Sequence, residues 1–202
     1  YQTEKLGSVN HSIVACAKHF IADGATVWGT GMGNQFDKID RGNAPISDSL
    51  IRAKYLPPYQ KALDAGVGTV MASFNSINDL KCHANGYLFN DLLKEEMGFD
   101  GFVISDWQGI DEIPGDYKSD IIKSVNAGLD MIMVPGAVKG GGEHYKTFLQ
   151  LFKESVDEGL ILEERLNDAV RRILRIKFRS GLMDNPMTDR TLLEKVGSDA
   201  HK

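Results

Sequence analysis

The sequence predicts an α/β fold built from parallel strand–helix units, on three observations. Four short runs are almost continuously apolar: Ser12 to Lys18, Gly68 to Phe74, Gly101 to Ser105 and Asp130 to Val134. Strands buried on both faces read this way. Helical periodicity fills the intervals, and the phrase of helix, glycine, a few residues and apolar strand occurs three times, as right-handed βα crossovers require.

The helices justify themselves in turn. Pro57 and Pro58 suit the first turn of a helix running to Ala65, with Gly66 at its end. Leu88, Leu92, Leu93 and Met97 share one face of a second helix that Gly98 stops, and Ile121, Ile122 and Val125 share a face of a third before Gly128. Two amphipathic helices follow the fourth run, Tyr145 to Glu158 and Glu163 to Phe178, ended by Gly159 and Gly181. Leu166, Val170, Ile173 and Leu174 are expected to face inward from the last. From Pro186 to Lys202 the chain turns polar and aperiodic.

Four such units fit either an open doubly wound sheet or part of a closed TIM-type (β/α)8 barrel, and periodicity does not choose between them. The polar residues do. Lys18-His19 follow the first run, Ser73-Phe74-Asn75 close the second and Asp106-Trp107 follow the third. Barrel enzymes place their chemistry at that end of every strand, whereas doubly wound folds concentrate it at one switch point. No glycine-rich phosphate loop follows the first run. The expectation is a partial barrel with about four strands over residues 1–182, and the start of a linker over 183–202.

Composition narrows the function. A net charge of -5 with interspersed signs leaves no basic footprint for nucleic acid or an anionic membrane surface. No apolar stretch reaches the length of a membrane span. Tyr1 to Asn10 lacks the layout of a signal peptide, and the absence of an initiator Met suggests an earlier natural start. Cys16 and Cys82 have no ligand or CxxC spacing, so neither zinc nor a disulfide framework is expected, and Cys16 should be a buried thiol. Acidic residues do not cluster with His at ligand spacing, so no metal or organic cofactor is implied.

Asp106 is the first chemical candidate. A carboxylate at the end of a buried strand with an indole beside it suits attack on a sugar, the anion as nucleophile and Trp107 as a stacking surface. A helix-capping Asp and an ordinary half-buried Trp are the bland alternatives. Lys18, directly after an apolar run, should meet a carboxylate or a ligand hydroxyl, because burying its charge alone is costly. His19 could be structural or functional, and Asp23-Gly24 reads as a turn from which Asp23 could brace Lys18 or His19.

Taken together, Lys18-His19-Phe20 with Asp23-Gly24, Met71-Ala72-Ser73-Phe74 through His83-Ala84-Asn85, Gly101 to Trp107 with Gly109-Ile110-Asp111, and Gly128 to Pro135 resemble glycoside hydrolase family 3, in its β-glucosidase and exo-β-glucanase branch. The resemblance runs from about Val14 to Leu182. It implies that Asp106 is the nucleophile of a retaining double displacement on terminal β-D-glucosyl units, that Lys18 and His19 bind sugar hydroxyls, that Trp107 lines the next subsite and that Met71 lies near the sugar. Phe74 departs from a common Tyr and lacks its hydroxyl. No Asp-Ser-His tripeptide follows Lys18-His19-Phe20, which sets the hexosaminidase branch aside.

A retaining glycosidase also needs a second carboxyl group roughly 5 Å from the nucleophile. Asp111, Glu112 and Asp116 follow Asp106 too closely, and Glu143 is a weak candidate. The resemblance implies a Glu from a following domain, and a missing N-terminal barrel half, so the chain should be a portion of a longer enzyme, poorly active alone. Many relatives are secreted or periplasmic. The alternatives are a non-catalytic sugar-binding domain derived from such a barrel and an aldolase using Lys18 as a Schiff base, although such a lysine works best beside other cations.

Overall fold

The computed structural model describes residues 6, 13–32, 37–136 and 144–201. Three parallel strands form its central sheet in the order β1 (Cys16–Phe20), β3 (Thr69–Ala72), β6 (Phe102–Ile104). Thr69 lies between Cys16 and Phe102 across the sheet, and Val70 between Ala17 and Val103. This is the parallel βα arrangement expected of a TIM-type barrel segment. The fourth run joins on the far side of β6 through one parallel bridge, Ile104 to Met131. Around that bridge Ser105 N–H donates to Met131 O and Met131 N–H to Val103 O, while the Ser105 hydroxyl accepts from Met133 N–H. Diverting Met133 to a side-chain acceptor shortens the ladder at that point.

The first strand sits later than the expected Ser12 to Lys18, whose first residue lies outside the described residues. It continues through His19 to Phe20, because Phe20 and Ile21 are fully buried core residues and Ser73 N–H extends the ladder to Phe20 O. Lys18 and His19 therefore lie within the strand. Cys16 is exposed, contrary to expectation, and Cys82 is the buried thiol. Strand alternation explains the correction. Ala17 shares the helix-facing side with Val70 and Val103, which turns Cys16 and Lys18 to the opposite face with Met71 and Ile104.

Helices cover one face. The helical course begins at α1 (Asp48–Leu50), where the Ser47 hydroxyl accepts from Leu50 N–H. It passes through a π-type segment, Ile51–Tyr55, into α2 (Leu56–Asp64). The helix thus starts before Pro57, which instead sits at the first turn of its α-helical part. A second segment with π-type bonding, Tyr87–Glu96, buries Leu88, Phe89, Leu92 and Leu93 completely against Val70, Ala72 and Val103. Each such side chain contributes roughly 1.5–3 kcal/mol of burial. Gly98 leaves it at φ 68°, the left-handed conformation that a helix C-terminus favours.

A second cluster forms under α3 (Tyr117–Asn126) and α4 (His144–Asp157) around Ile110, Ile113, Ile121 and Ile161. The last helix, α5 (Glu163–Arg179), buries Ala169 and Ile176 and exposes Val170 and Leu174. Those two were expected to face inward. Arg165 and Arg172 occupy that position instead, because their guanidinium groups find buried partners: Asp130 for Arg165, and the Phe99 and Gly101 carbonyls for Arg172.

A small second sheet had no signal in the sequence. It pairs β2 (Asn43–Ala44) parallel to β4 (Ser76–Ile77), which forms a hairpin with β5 (Leu80–Lys81). Asn78 and Asp79 turn the hairpin at φ 50° and 68°, the geometry that primed two-residue turns need. Beyond α5 the chain runs through short turns, Arg190–Lys195 and Asp199–His201. No helix among the described residues is long and apolar enough to cross a membrane.

Candidate active site

The strands end at a rim where β1, β3 and β6 present their C-terminal residues to a cavity of about 420 Å³. His19, Asp23, Arg41, Ser73, Phe74 and Asp106 are among its lining. A larger cavity, about 590 Å³, lies at the opposite end of the strands between Gly68, Phe99, Ile176 and Arg179. The reactive side chains gather at the first, the end at which parallel α/β sheets place their chemistry.

Asp106 follows β6 at a sharp turn completed by Gln108 at φ 56°. Its Oδ1 accepts the Trp107 N–H at 2.6 Å, and its Oδ2 lies 3.4 Å from His19 Nε2. The carboxylate is only 16% exposed and borders the cavity. The other His19 nitrogen, Nδ1, is 3.8 Å from Asp23 Oδ2, so the imidazole stands between two carboxylates.

Behind Asp106 lies His83, fully buried in the turn Cys82–Ala84. Its Nε2 accepts the Asp106 N–H at 3.0 Å. Burial, helped by the nearby Lys81 cation, pulls its pKa down to about 3. The Ser73 main chain opposes that shift, and Nδ1 makes no hydrogen bond with the described residues. Gly109 makes room for the ring, since a Cβ there would stand 2.3 Å from Nε2.

The small sheet builds the opposite wall. Arg41, just before β2, lays its guanidinium 4.7 Å from the Phe74 ring centre and donates to Glu112 Oε1 at 2.6 Å. Lys81, on β5, donates to Glu112 Oε2 at 3.0 Å and to the Arg41 and Phe74 carbonyls. Both oxygens of Glu112 are thus committed to cations, which unsuits it for delivering a proton.

Of the residues singled out in the sequence, His19, Phe74 and Asp106 meet at the cavity. Lys18 is exposed on the opposite face from the helices and meets no carboxylate among the described residues. Met71 is half-buried, Trp107 is 63% exposed, and neither lines the cavity. Glu143 lies outside the described residues. Arg41 was not anticipated, because a single Arg in a polar loop carries no local signal. Among the described residues no group of three or more His, Cys, Asp or Glu side chains is placed to hold a metal ion.

Residues 3–176 match the family model described as the glycosyl hydrolase family 3 N-terminal domain. The chain belongs to this family. It is 37% identical to β-glucosidase 1 of Saccharomycopsis fibuligera over 83% of this chain and 19% of that protein. A β-xylosidase of Formosa agariphila is 31% identical over 96% of this chain and 26% of that protein. Among solved structures, a mutant exo-1,3/1,4-β-glucanase from a Pseudoalteromonas species superposes with a TM-score of 0.80 and 37% identity, covering 94% of this chain and 29% of that one. This family 3 chain therefore spans between about a fifth and a quarter of the length of the curated relatives it matches.

Proposed function

We propose that this family 3 domain carries the nucleophile of a retaining β-glucosidase or exo-β-glucanase, and that the nucleophile is Asp106. The observation that carries the reading is the Asp106 carboxylate itself: at a strand end, Oδ1 tethered to the Trp107 N–H, Oδ2 turned toward His19 and the cavity. Fixing one oxygen leaves the other as the attacking atom. In the first step it bonds to the anomeric carbon as the glycosidic bond breaks, and a carboxylic acid gives its proton to the leaving oxygen. In the second, water attacks the same carbon, transfers a proton to that carboxylate and frees Asp106.

In the cavity His19 would hold sugar hydroxyls with Phe74 and Arg41 forming a wall; Lys18, Met71 and the exposed Trp107 indole, which lie outside its lining, would reach the sugar where a further barrel half extends the site. A cavity of about 420 Å³ is within the usual range for small ligands. The carbohydrate is a terminal β-glucosyl unit of a β-glucoside or short β-glucan, as the names of the β-glucosidase and exo-β-glucanase relatives suggest, the β-xylosidase pointing to a different sugar. Of the other carboxylates lining the cavity, Asp23 faces His19 and Asp40 lies 3.4 Å from the Arg41 guanidinium, while Glu112, behind Arg41 and outside the lining, is held by two cations. We therefore assign the acid/base to a part of a longer enzyme, with residues 1–182 as a barrel portion and 183–202 opening a linker. The half-buried Met71, Phe102 and Ile104, facing away from the helices, support a further barrel half closing over them.

The test is intact-mass analysis after incubation with activated 2-deoxy-2-fluoro-glucoside and, separately, the xyloside. One added sugar mapped to the Asp106 peptide is expected from the glucoside. Label from the xyloside alone would change the sugar, and no label on the complete folded protein would favour a non-catalytic sugar-binding domain.

A further inference from the structure

We propose that His83 is a positioning residue for the nucleophile: its neutral imidazole, buried behind the rim, fixes the Asp106 main chain and thereby aims the carboxylate. The inference rests on the assignment of Asp106 made above and extends it to a residue that never touches substrate.

The β6 ladder ends before Asp106. Ile104 makes the last bridge, and Ser105 N–H already donates across to Met131 O. The next N–H, that of Asp106, points back into the fold, where a buried donor without an acceptor is costly. His83 Nε2 supplies that acceptor at 3.0 Å. An imidazole accepts at Nε2 only when neutral with its proton on Nδ1, and the burial of His83 holds it neutral across the ordinary pH range. A core histidine with no task would take any backbone partner, whereas His83 Nε2 takes the one N–H that belongs to the nucleophile. Here the fold also gives up a side chain at Gly109, whose Cβ would overlap the ring.

The consequence reaches the carboxylate through two bonds. With its N–H held, the peptide plane of Asp106 is fixed, and the adjacent Trp107 N–H can donate to Oδ1 at 2.6 Å. Oδ2 is then directed to the His19 side of the cavity. Without the Nε2 acceptor, the turn from Asp106 to Gln108 would be free to rotate and carry the attacking oxygen off line, and misplacement of a reacting group by about 1 Å can cost about a hundredfold in rate.

The experiment uses the complete protein with His83→Leu, which keeps volume but removes the acceptor, and His83→Gln, whose amide oxygen can reach the Nε2 position. Two quantities are read: the rate constant for glycosylation by the fluoro-glycoside at saturation, separated from its apparent Kd, and hydrogen exchange at the Asp106 amide. His83→Leu is expected to slow glycosylation by about tenfold to a hundredfold with little change in Kd and to lose amide protection. His83→Gln should restore most of both. A folded His83→Leu protein labelled at the wild-type rate, or His83→Gln as slow as His83→Leu, would overturn the proposal. If His83→Leu does not fold, His83→Asn, polar but too short to reach the amide, takes its place with the same expectation. If the wild type itself takes no label, the glycosidase reading has failed and the exchange data alone decide His83: equal Asp106 protection in all the proteins rejects it.

Discussion

Asp106 and Asp130 sit at opposite ends of the same part of the sheet, and their surroundings could hardly differ more. Asp106, at the rim, has one oxygen taken by a main-chain N–H and the other facing a half-exposed imidazole across 3.4 Å. The Asp130 side chain, at the base, is fully buried. Its Oδ1 accepts from Lys94 at 2.8 Å and from Arg165, and its Oδ2 from Val103 N–H at 2.8 Å. Asp168 then links Arg165 to Arg172, which donates to the Phe99 and Gly101 carbonyls at the foot of β6. Burial pulls the Lys94 pKa down to about 8 against the attraction of Asp130, and the nearby Arg165 and Arg172 add to the fall. A carboxylate whose lone pairs are filled holds a fold together, whereas one left partly open is available for chemistry.

Exchanging each acid separates the two roles. Asp106→Asn should abolish fluoro-sugar labelling and lower turnover of the complete protein by on the order of 10⁴-fold or more, the scale seen when covalent enzymes lose a nucleophile. Because Asn still offers an oxygen to the Trp107 N–H, its unfolding free energy from urea titration should stay within about 0.5 kcal/mol of wild type. Asp130→Ala should do the reverse. Stranding Lys94 and Arg165 without their carboxylate is expected to cost about 3–5 kcal/mol in urea unfolding, with labelling per folded molecule preserved. A destabilised Asp106→Asn or a stable Asp130→Ala would break the distinction.

The same contrast decides what could be read from the sequence. Three strands, and the place of Asp106 at the end of one, were legible because their runs are almost continuously apolar, so a charged residue at the end stands out. The helix after β3 was legible from Leu88, Leu92 and Leu93, which are completely buried. The small sheet was not, since strands of two residues such as Ser76–Ile77 are too short to show a period. Arg41 and its pairing with Glu112 were hidden with it, the partners being far apart in the chain. The face of α5 was misjudged for a chemical reason: Arg165 and Arg172 are polar by type but are buried through their partners, so periodicity of apolar residues pointed to Val170 and Leu174, which are exposed. Cys16 failed similarly, because an apolar run does not say which face of the sheet lacks a helix.

The smallest effect belongs to an ion pair at the base that stays wet. Arg179, near the end of α5, holds Asp100 with two hydrogen bonds, one of 2.9 Å to Oδ1 and one of 2.6 Å to Oδ2, and both side chains are about half exposed. The hydrogen bonds from Arg179 lower the Asp100 pKa below the ordinary Asp value, overcoming the opposite effect of partial burial. A carboxyl group with a depressed folded pKa adds stability that is complete above its unfolded value, about 3.9, and fades as pH falls through the folded one. Asp100→Asn should therefore cost only about 0.2–1 kcal/mol at neutral pH, as solvent screens an exposed pair. The gap between wild type and variant should close in urea titrations run at progressively lower pH below about 4. A gap of several kcal/mol, or one that widens in acid, would mean that the exposed pair behaves like the buried cluster around Asp130 and that burial is not what separates them.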